Sequence, residues 1–390
     1  MKFFPFLAVI IAILSLTIAG CDGEEGAVEE IEELPSALTR PEPTLEEMAN
    51  WRGAWRDATN SGVYPSGPTA EPAPRWTVEL GEDSFAAPTV ARGMVVFAGE
   101  EGLVIAVKAD SGNELWCKDM KEPVRGAAAI TEVAVFLSRG RGGAAALNPA
   151  DGKLLWQTEF DSPCDVSPVA YGNFVYYADE GGLLHALDSL DGSPVWASLF
   201  DGGILSHPAV DDRTIYLSTQ MGELVALNRK SGEVIWQTTV GGRAYAGVCL
   251  SGDSLYLADR AGVLYRFNKI DGTLLAEAEL GHPVVGLSII SDGKLFVASD
   301  GGRLHGVDAE TLEPLWKSDL GDYPGGGVIL AGGTLLCPTW FGRLYGYDPT
   351  SGERLWNINL GFRCDAPPTV SETGNLYLLT QDGILHSYGK

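Results

Sequence analysis

The sequence predicts an all-β chain, an eight-bladed β-propeller of four-stranded antiparallel blades closed by pairing of its N- and C-terminal strands. Three observations predict it. Tryptophan recurs at an interval of 40 residues, at Trp76, Trp116, Trp156, Trp196, Trp236, Trp316 and Trp356, with Ala276 in the one slot that lacks it. A glycine follows each slot by 26 residues, at Gly102, Gly142, Gly182, Gly222, Gly262, Gly302 and Gly342, and one inserted residue moves the last to Gly383. The chain ends at Lys390 after only three strand patterns of its eighth repeat, and Arg75–Leu80 reads as the missing fourth. A period near 40 built from short strand patterns is the signature of propeller blades.

The segments before the ring read as an address and a leash. Residues 1–20 form a signal peptide: Lys2 precedes a largely apolar run from Phe3 to Leu14, and Ile18-Ala19-Gly20-Cys21 resembles a bacterial lipobox, with Cys21 as the lipidated residue. Acyl chains on one cysteine hold a soluble domain on a membrane at about 0.8 kcal/mol per buried CH₂. Residues 21–43 are an acidic tether, since Asp22–Glu33 carries seven carboxylates and no base. Asp22 behind the cysteine resembles an inner-membrane retention signal of enteric bacteria, whereas the overall reading favours the outer membrane. Residues 44–74 form a strap: Thr44-Leu45-Glu46-Glu47 is a capping box opening a short helix, and Trp51 and Trp55 sit in so polar a stretch that they should dock on the propeller.

Residues 75–390 are the propeller, and the repeat 164–203 shows how one blade arises. Ser167–Ala170 is the inner strand, Phe174–Ala178 the second, Leu183–Asp188 the third and Pro194–Ala197 the outer one. The turn between the last two recurs as Asp110-Ser111-Gly112, Ala150-Asp151-Gly152, Lys230-Ser231-Gly232, Ile270-Asp271-Gly272 and Thr350-Ser351-Gly352. Glycine supplies the positive φ of such hairpins, and an Asn or Asp shortly before caps them. Blade six departs, with Thr311-Leu312 where glycine belongs. Ala86, Gly126, Val166, Ser206, Ala246, Gly286, Gly326 and Ala366 form a column of mostly small residues that lets eight inner strands converge. Tryptophan on the outer strand packs between blades, so Ala276 should leave one looser seam.

Repeats such as Ala226-Leu227-Asn228-Arg229-Lys230-Ser231-Gly232-Glu233-Val234-Ile235-Trp236 resemble the "ALDxxTGxxxW" motif of the pyrroloquinoline-quinone-like propeller family, and the resemblance covers residues 76–390. Eight blades, a lipobox, the length and the ending Leu376–Gly383 are similar to the BamB-type lipoproteins of the outer-membrane assembly machinery. That resemblance implies a non-catalytic scaffold in the periplasm, lipid-anchored, monomeric and binding envelope proteins. Their partner-docking loop sequence has no recognisable counterpart at Gly202-Gly203-Ile204-Leu205. Enzymes of the family grip their quinone with adjacent cysteines and a calcium ion. Cys21, Cys117, Cys164, Cys249, Cys337 and Cys364 include no adjacent pair, so the expectation is no cofactor, no metal and no catalytic residue. Alternatives are a module binding a small molecule or glycan in the central funnel, and a quinone-dependent oxidoreductase.

Charge and residue type narrow the site. A formal net charge of −25 repels phosphate backbones, which excludes nucleic-acid partners. Spread over five blades, the remaining cysteines read as buried free thiols, with Cys337 and Cys364 the one pair in neighbouring blades. His185, His305 and His386 share one third-strand column in separate blades and read as packing residues, and His207 and His282 lack a nucleophile partner. The candidate partner-binding residues lie on loops of one propeller face. Trp340, Phe341, Tyr323, Phe362 and Arg363 have the aromatic-plus-arginine composition of an interface hot spot. Arg125, Arg139 and Arg141 gather in blade two, either paired with Glu100, Glu101, Asp179 and Glu180 or open to an anionic partner.

Overall fold

Eight sheets carry the chain, and seven of them follow one another in sequence from Thr89–Asp119 to Ile329–Asn359, each with its strands side by side in chain order. The computed structural model describes residues 36–48, 52–53, 56–244, 247–284, 286 and 289–389. The signal segment, Cys21, the acidic run to Glu33, Trp51, Trp55 and Ala246 lie outside the described residues. Blade three matches its sequence reading closely, with strands Val169–Tyr171, Phe174–Ala178, Leu183–Asp188 and Pro194–Leu199. The eighth blade joins Thr369–Val370, Leu376–Leu379 and Ile384–Gly389 to Ala73–Glu79, which pairs antiparallel from Ala73 opposite Gly389 to Glu79 opposite Ile384. N- and C-terminal strands thus close the ring in one sheet and cover an otherwise open edge.

The tryptophan period is a device for joining blades. The indole Nε1–H of Trp116, Trp196 and Trp236 donates to the carbonyls of Pro149, Arg229 and Lys269 at 2.8, 3.1 and 3.0 Å, each in the third-to-fourth turn of the next blade. The ring also lies against the glycine of that turn: a Cβ on Gly152 would meet Trp116 at 2.7 Å, and one on Gly272 would meet Trp236 at 2.6 Å. These glycines have φ of 69° and 71°. Two constraints, left-handed backbone and a stacked indole, therefore fall on one residue. The Asn and Asp caps also appear, as in Asn148 Oδ1 accepting from Ala150 N at 2.8 Å.

Blade six corrects the expectation of a loose seam at Ala276. The position that receives the missing indole is Leu312, 36 residues on, as Gly152 is from Trp116. Leu312 is 1% exposed at φ 61° and packs in one apolar cluster with Val284, Val297 and Ala276. A leucine in the turn fills from one side the space that tryptophan fills from the other elsewhere. The two anomalies of the repeat are a single exchange.

The small-residue column brings inner strands together; a Cβ on Gly286 would meet Gly327 Cα at 2.4 Å. The end of the tether and the strap then dock on one face of the ring. Arg40 pairs with Asp188 at 2.9 Å and Glu42 with Arg229 at 2.5 Å, both in turns joining third and fourth strands. Beyond the short helix Leu45–Met48, the strap crosses the inner strands of several blades. Ile130 N donates to Arg52 O at 2.7 Å, Val210 N to Ala58 O at 2.7 Å, Leu250 N to Thr59 O at 3.3 Å and Leu330 N to Gly62 O at 3.0 Å. Val63–Tyr64 finally runs parallel to the inner strand Ile329–Ala331 of blade seven. Buried Asn60 ties the crossing, its amide donating to the carbonyls of Pro208 and Val248 at 3.1 and 3.0 Å.

Candidate functional site

Antiparallel blades put two sets of loops on opposite faces of the ring. The strap docks on the face made by first-to-second and third-to-fourth turns. The loops between blades and those joining second and third strands form the other face and stay clear of the strap contacts just described.

On that open face the structure assembles the aromatic cluster. Trp340 and Phe341 lie in the turn Thr339–Gly342 of blade seven, Tyr323 in the loop entering the same blade, and Phe362 and Arg363 in the loop entering blade eight. The rings of Tyr323 and Trp340 sit 5.6 Å apart, and the Arg363 guanidinium lies 4.2 Å from the Trp340 ring, a cation–π distance. Asp365 holds that guanidinium at 2.6 Å. Trp340 is therefore partly packed between its neighbours, whereas Phe341 is 72% exposed and Tyr323 and Phe362 about half. An exposed cluster of this kind is costly to leave in water, and it is the composition of a protein contact.

One residue of this site has no signal in a search for aromatic or basic side chains. Asp322 is buried, and its two carboxylate oxygens accept from Tyr323 N at 2.6 Å and Phe341 N at 3.0 Å. It fixes the loop that presents Phe341. The repeat does carry the clue, because Glu82 stands in the same column and one of its oxygens accepts from the amides of Glu101, Gly102 and Leu103.

The arginines of blade two separate. Arg125 binds Glu100 and Asp165, both at 3.0 Å, and these hydrogen bonds raise its pKa, the one to Asp165 most. Arg139 lies between Glu122 and Glu159 at 2.5 Å; burial opposes its charge, yet the two carboxylates prevail and hold it above the usual guanidinium range. Both serve as ties between loops. Arg141 is exposed, and no described residue pairs with it.

Cysteines and histidines are structural in their surroundings. Cys164, Cys249, Cys337 and Cys364 are buried free thiols pushed up to about 12 by burial, so none is a thiolate at neutral pH. Cys117 departs from the sequence reading: it is free but exposed on an outer strand. Each column histidine contacts the residue six positions before it, His185 with Asp179 at 2.9 Å, His305 with Ser299 at 3.1 Å and His386 with Thr380 at 3.3 Å. Phe160 stacks on His185 at 3.9 Å. Among the described residues no three His, Cys, Asp or Glu side chains are grouped to hold a metal ion.

Similarity to known proteins points one way for the fold. The sequence matches the family described as "Outer membrane protein assembly factor BamB" over residues 69–164, 100–245, 220–321 and 307–389. No curated protein matches by sequence. Among solved structures, BamB from Moraxella catarrhalis is 18% identical with a TM-score of 0.74, covering 82% of this chain and 100% of its own. Quinohemoprotein alcohol dehydrogenase from Comamonas testosteroni is 14% identical with a TM-score of 0.75, covering 88% of this chain and 80% of its own. At such identities these structures share the fold. No helix among the described residues is long and apolar enough to cross a membrane.

Proposed function

The chain belongs to the family of outer membrane protein assembly factor BamB, and from that membership we propose that it is a non-catalytic scaffold of the cell envelope that binds partner proteins through loops of its open face, in the manner of outer-membrane protein assembly. One observation carries the reading. Phe341, 72% exposed, stands with Tyr323, Trp340, Phe362 and Arg363 on the face clear of the described strap contacts. Asp322 holds the loop in its presenting conformation, so the patch is preorganised, which lowers the entropy lost on binding. Within blade two, Arg125 and Arg139 are committed to carboxylates, and Arg141 is the arginine left for an anionic group of a partner. The family sits in the periplasm beside the outer membrane, and lipid on Cys21 would hold the propeller there.

The dehydrogenase neighbours raise the question of a quinone. Family enzymes grip that group with adjacent cysteines and a calcium ion; this sequence has no adjacent cysteines, and no described carboxylate cluster is built for the ion. These residues do not fit the group, and no redox step is assigned to them. The test is photo-crosslinking in cells from positions 341 and 362, followed by identification of the captured proteins. Replacing Trp340 and Phe341 together by alanine should abolish most capture while leaving the melting temperature within a few degrees. An unchanged set of partners would remove this patch from the interface.

A further inference from the structure

Blades six and seven both begin their third strand with arginine, and only the first of these is neutralised within its blade. Arg303 of blade six stands opposite Asp319 on the outer strand, and the two form an ion pair. Arg343 of blade seven stands opposite Asn359. That outer-strand place is acidic in most of the ring, as Glu79, Asp119, Glu159, Glu279 and Asp319 show. Local structure does not require the exchange. Asn359 Oδ1 accepts from Gly361 N at 3.1 Å, as Asp319 Oδ1 accepts from Gly321 N at 2.8 Å. The amide therefore keeps the cap of the loop and removes only the charge. Arg343 is exposed, donates to Asn357 Oδ1 at 3.3 Å and pairs with no carboxylate among the described residues. It follows Phe341 by two residues, at the edge of the aromatic patch. Arg363, the patch's other cation, is taken by Asp365 and Trp340.

On the reading of this patch as a protein interface, on which the step rests, we propose that its partner presents an acidic segment of polypeptide. An apolar side chain of that segment covers Phe341 and Tyr323, and an aspartate or glutamate pairs with Arg343. With a net charge of −25, the surface as a whole repels a carboxylate. At blade seven the ring lacks the acid that its own repeat carries, and an open guanidinium stands beside rings that water covers poorly. Charge and apolar surface thus select one kind of partner together. The pair lies at the rim of the contact, where charge sets the rate and selectivity of association more than its strength. Its effect is that of an exposed ion pair, a factor of about two to five in affinity.

The probe is the fluorescently labelled peptide acetyl-Gly-Glu-Phe-Glu-Phe-Glu-Gly-amide, titrated with the folded full-length chain up to millimolar concentration. Its twin carries glutamine in place of each glutamate. Net charge alone would make the uncharged twin the tighter binder. The acidic peptide should instead bind about two- to fivefold more tightly at low salt, and about 0.5 M sodium chloride should remove the difference. Arg343→Gln keeps a donor for Asn357 and should make the two peptides equal. Asn359→Asp leaves Arg343 in place, supplies the missing carboxylate and should also erase the preference, which keeps the test open if the first variant is perturbed. Replacing Trp340 and Phe341 together by alanine should abolish binding of both peptides. Equal binding to the parent chain, or a preference that survives Arg343→Gln and Asn359→Asp, would overturn the acidic partner and leave the patch as an interface. No binding by the acidic peptide would overturn the proposal as well. Binding of both peptides that the double alanine variant leaves unchanged would remove the patch itself, and the proposal with it.

Discussion

Single residues decide whether one blade grips the next. At six turns a glycine meets the indole of the preceding blade, and at the seventh Leu312 meets Ala276. The exchange predicts strong coupling. Leu312→Gly should relieve a left-handed leucine yet empty its site, a net loss of about 1–3 kcal/mol. Ala276→Trp alone should clash with Leu312 and destabilise by a similar amount. Together they recreate the pairing of the other seams, so urea denaturation of the double variant should recover most of the summed loss; additive losses would deny the exchange. His305, 6% exposed, gives a second residue-scale prediction. Burial, then Lys317, His282 and Arg303, lower its pKa from 6.5 to about 4. As pH falls, the unfolded chain takes the proton first, so stability is full above about 6.5 and is lost down to about 4. His305→Gln keeps a partner for Ser299 without titrating there. The variant should lose about 1–3 kcal/mol less than the parent between pH 7.5 and 4.5 in denaturant melts; equal losses would place the titration elsewhere.

At the scale of elements, what the sequence discloses depends on whether side chains or backbone make the contact. Blade three is readable almost to the residue because alternating apolar runs, a capped Asp-x-x-x-Gly turn and a tryptophan all write themselves into composition. The closing strand at Arg75–Leu80 is readable for the same reason. The aromatic patch is readable too, since Trp340 stands where the other blades carry Glu100, Gly140, Glu180, Gln220, Arg260, Asp300 and Gln381, and Phe341 follows it directly. The course of the strap is not. It crosses the ring through backbone bonds from Ile130, Val210, Leu250 and Leu330, and backbone bonds leave no mark on residue identity. Asn60, with φ 56° and its carbonyl partners, marks the crossing by its side chain. The fates of Arg125 and Arg139 were open for another reason: of the expected Glu100, Glu101, Asp179 and Glu180 only Glu100 meets one of them, and Asp165, Glu122 and Glu159 reach them only through the folded geometry. Ala276 and Leu312 were each visible as an anomaly, but their pairing needs knowledge of which indole covers which turn.

The molecule as a whole is a ring whose closure and whose covered inner-strand edges come from two stretches of the same N-terminal region, and they can be separated. Residues 73–79 complete the hydrogen-bonded ladder of blade eight, and Val78 and Trp76 pack with Tyr377, Leu379 and Leu385 of that blade and with blade one. Without them, two neighbouring blades lose a packed face and the ring gains an open strand edge, which invites pairing between molecules. The strap up to Gly67 covers peptide edges at the channel and buries Tyr64 against blades seven and eight, yet no blade needs it to complete its four strands. A chain starting at Pro72 should therefore fold to a monomeric propeller that melts on the order of 3–8 °C lower, the loss of a few kcal/mol in a domain of this size. A chain starting at Leu80 should fail to melt cooperatively and should associate. Circular dichroism melts and size-exclusion chromatography of the two truncations distinguish the roles. If the chain from Leu80 melted as sharply as the chain from Pro72, the terminal strand would be dispensable, and the ring would have to owe its integrity to the tryptophan and leucine seams that remain once Trp76 is gone.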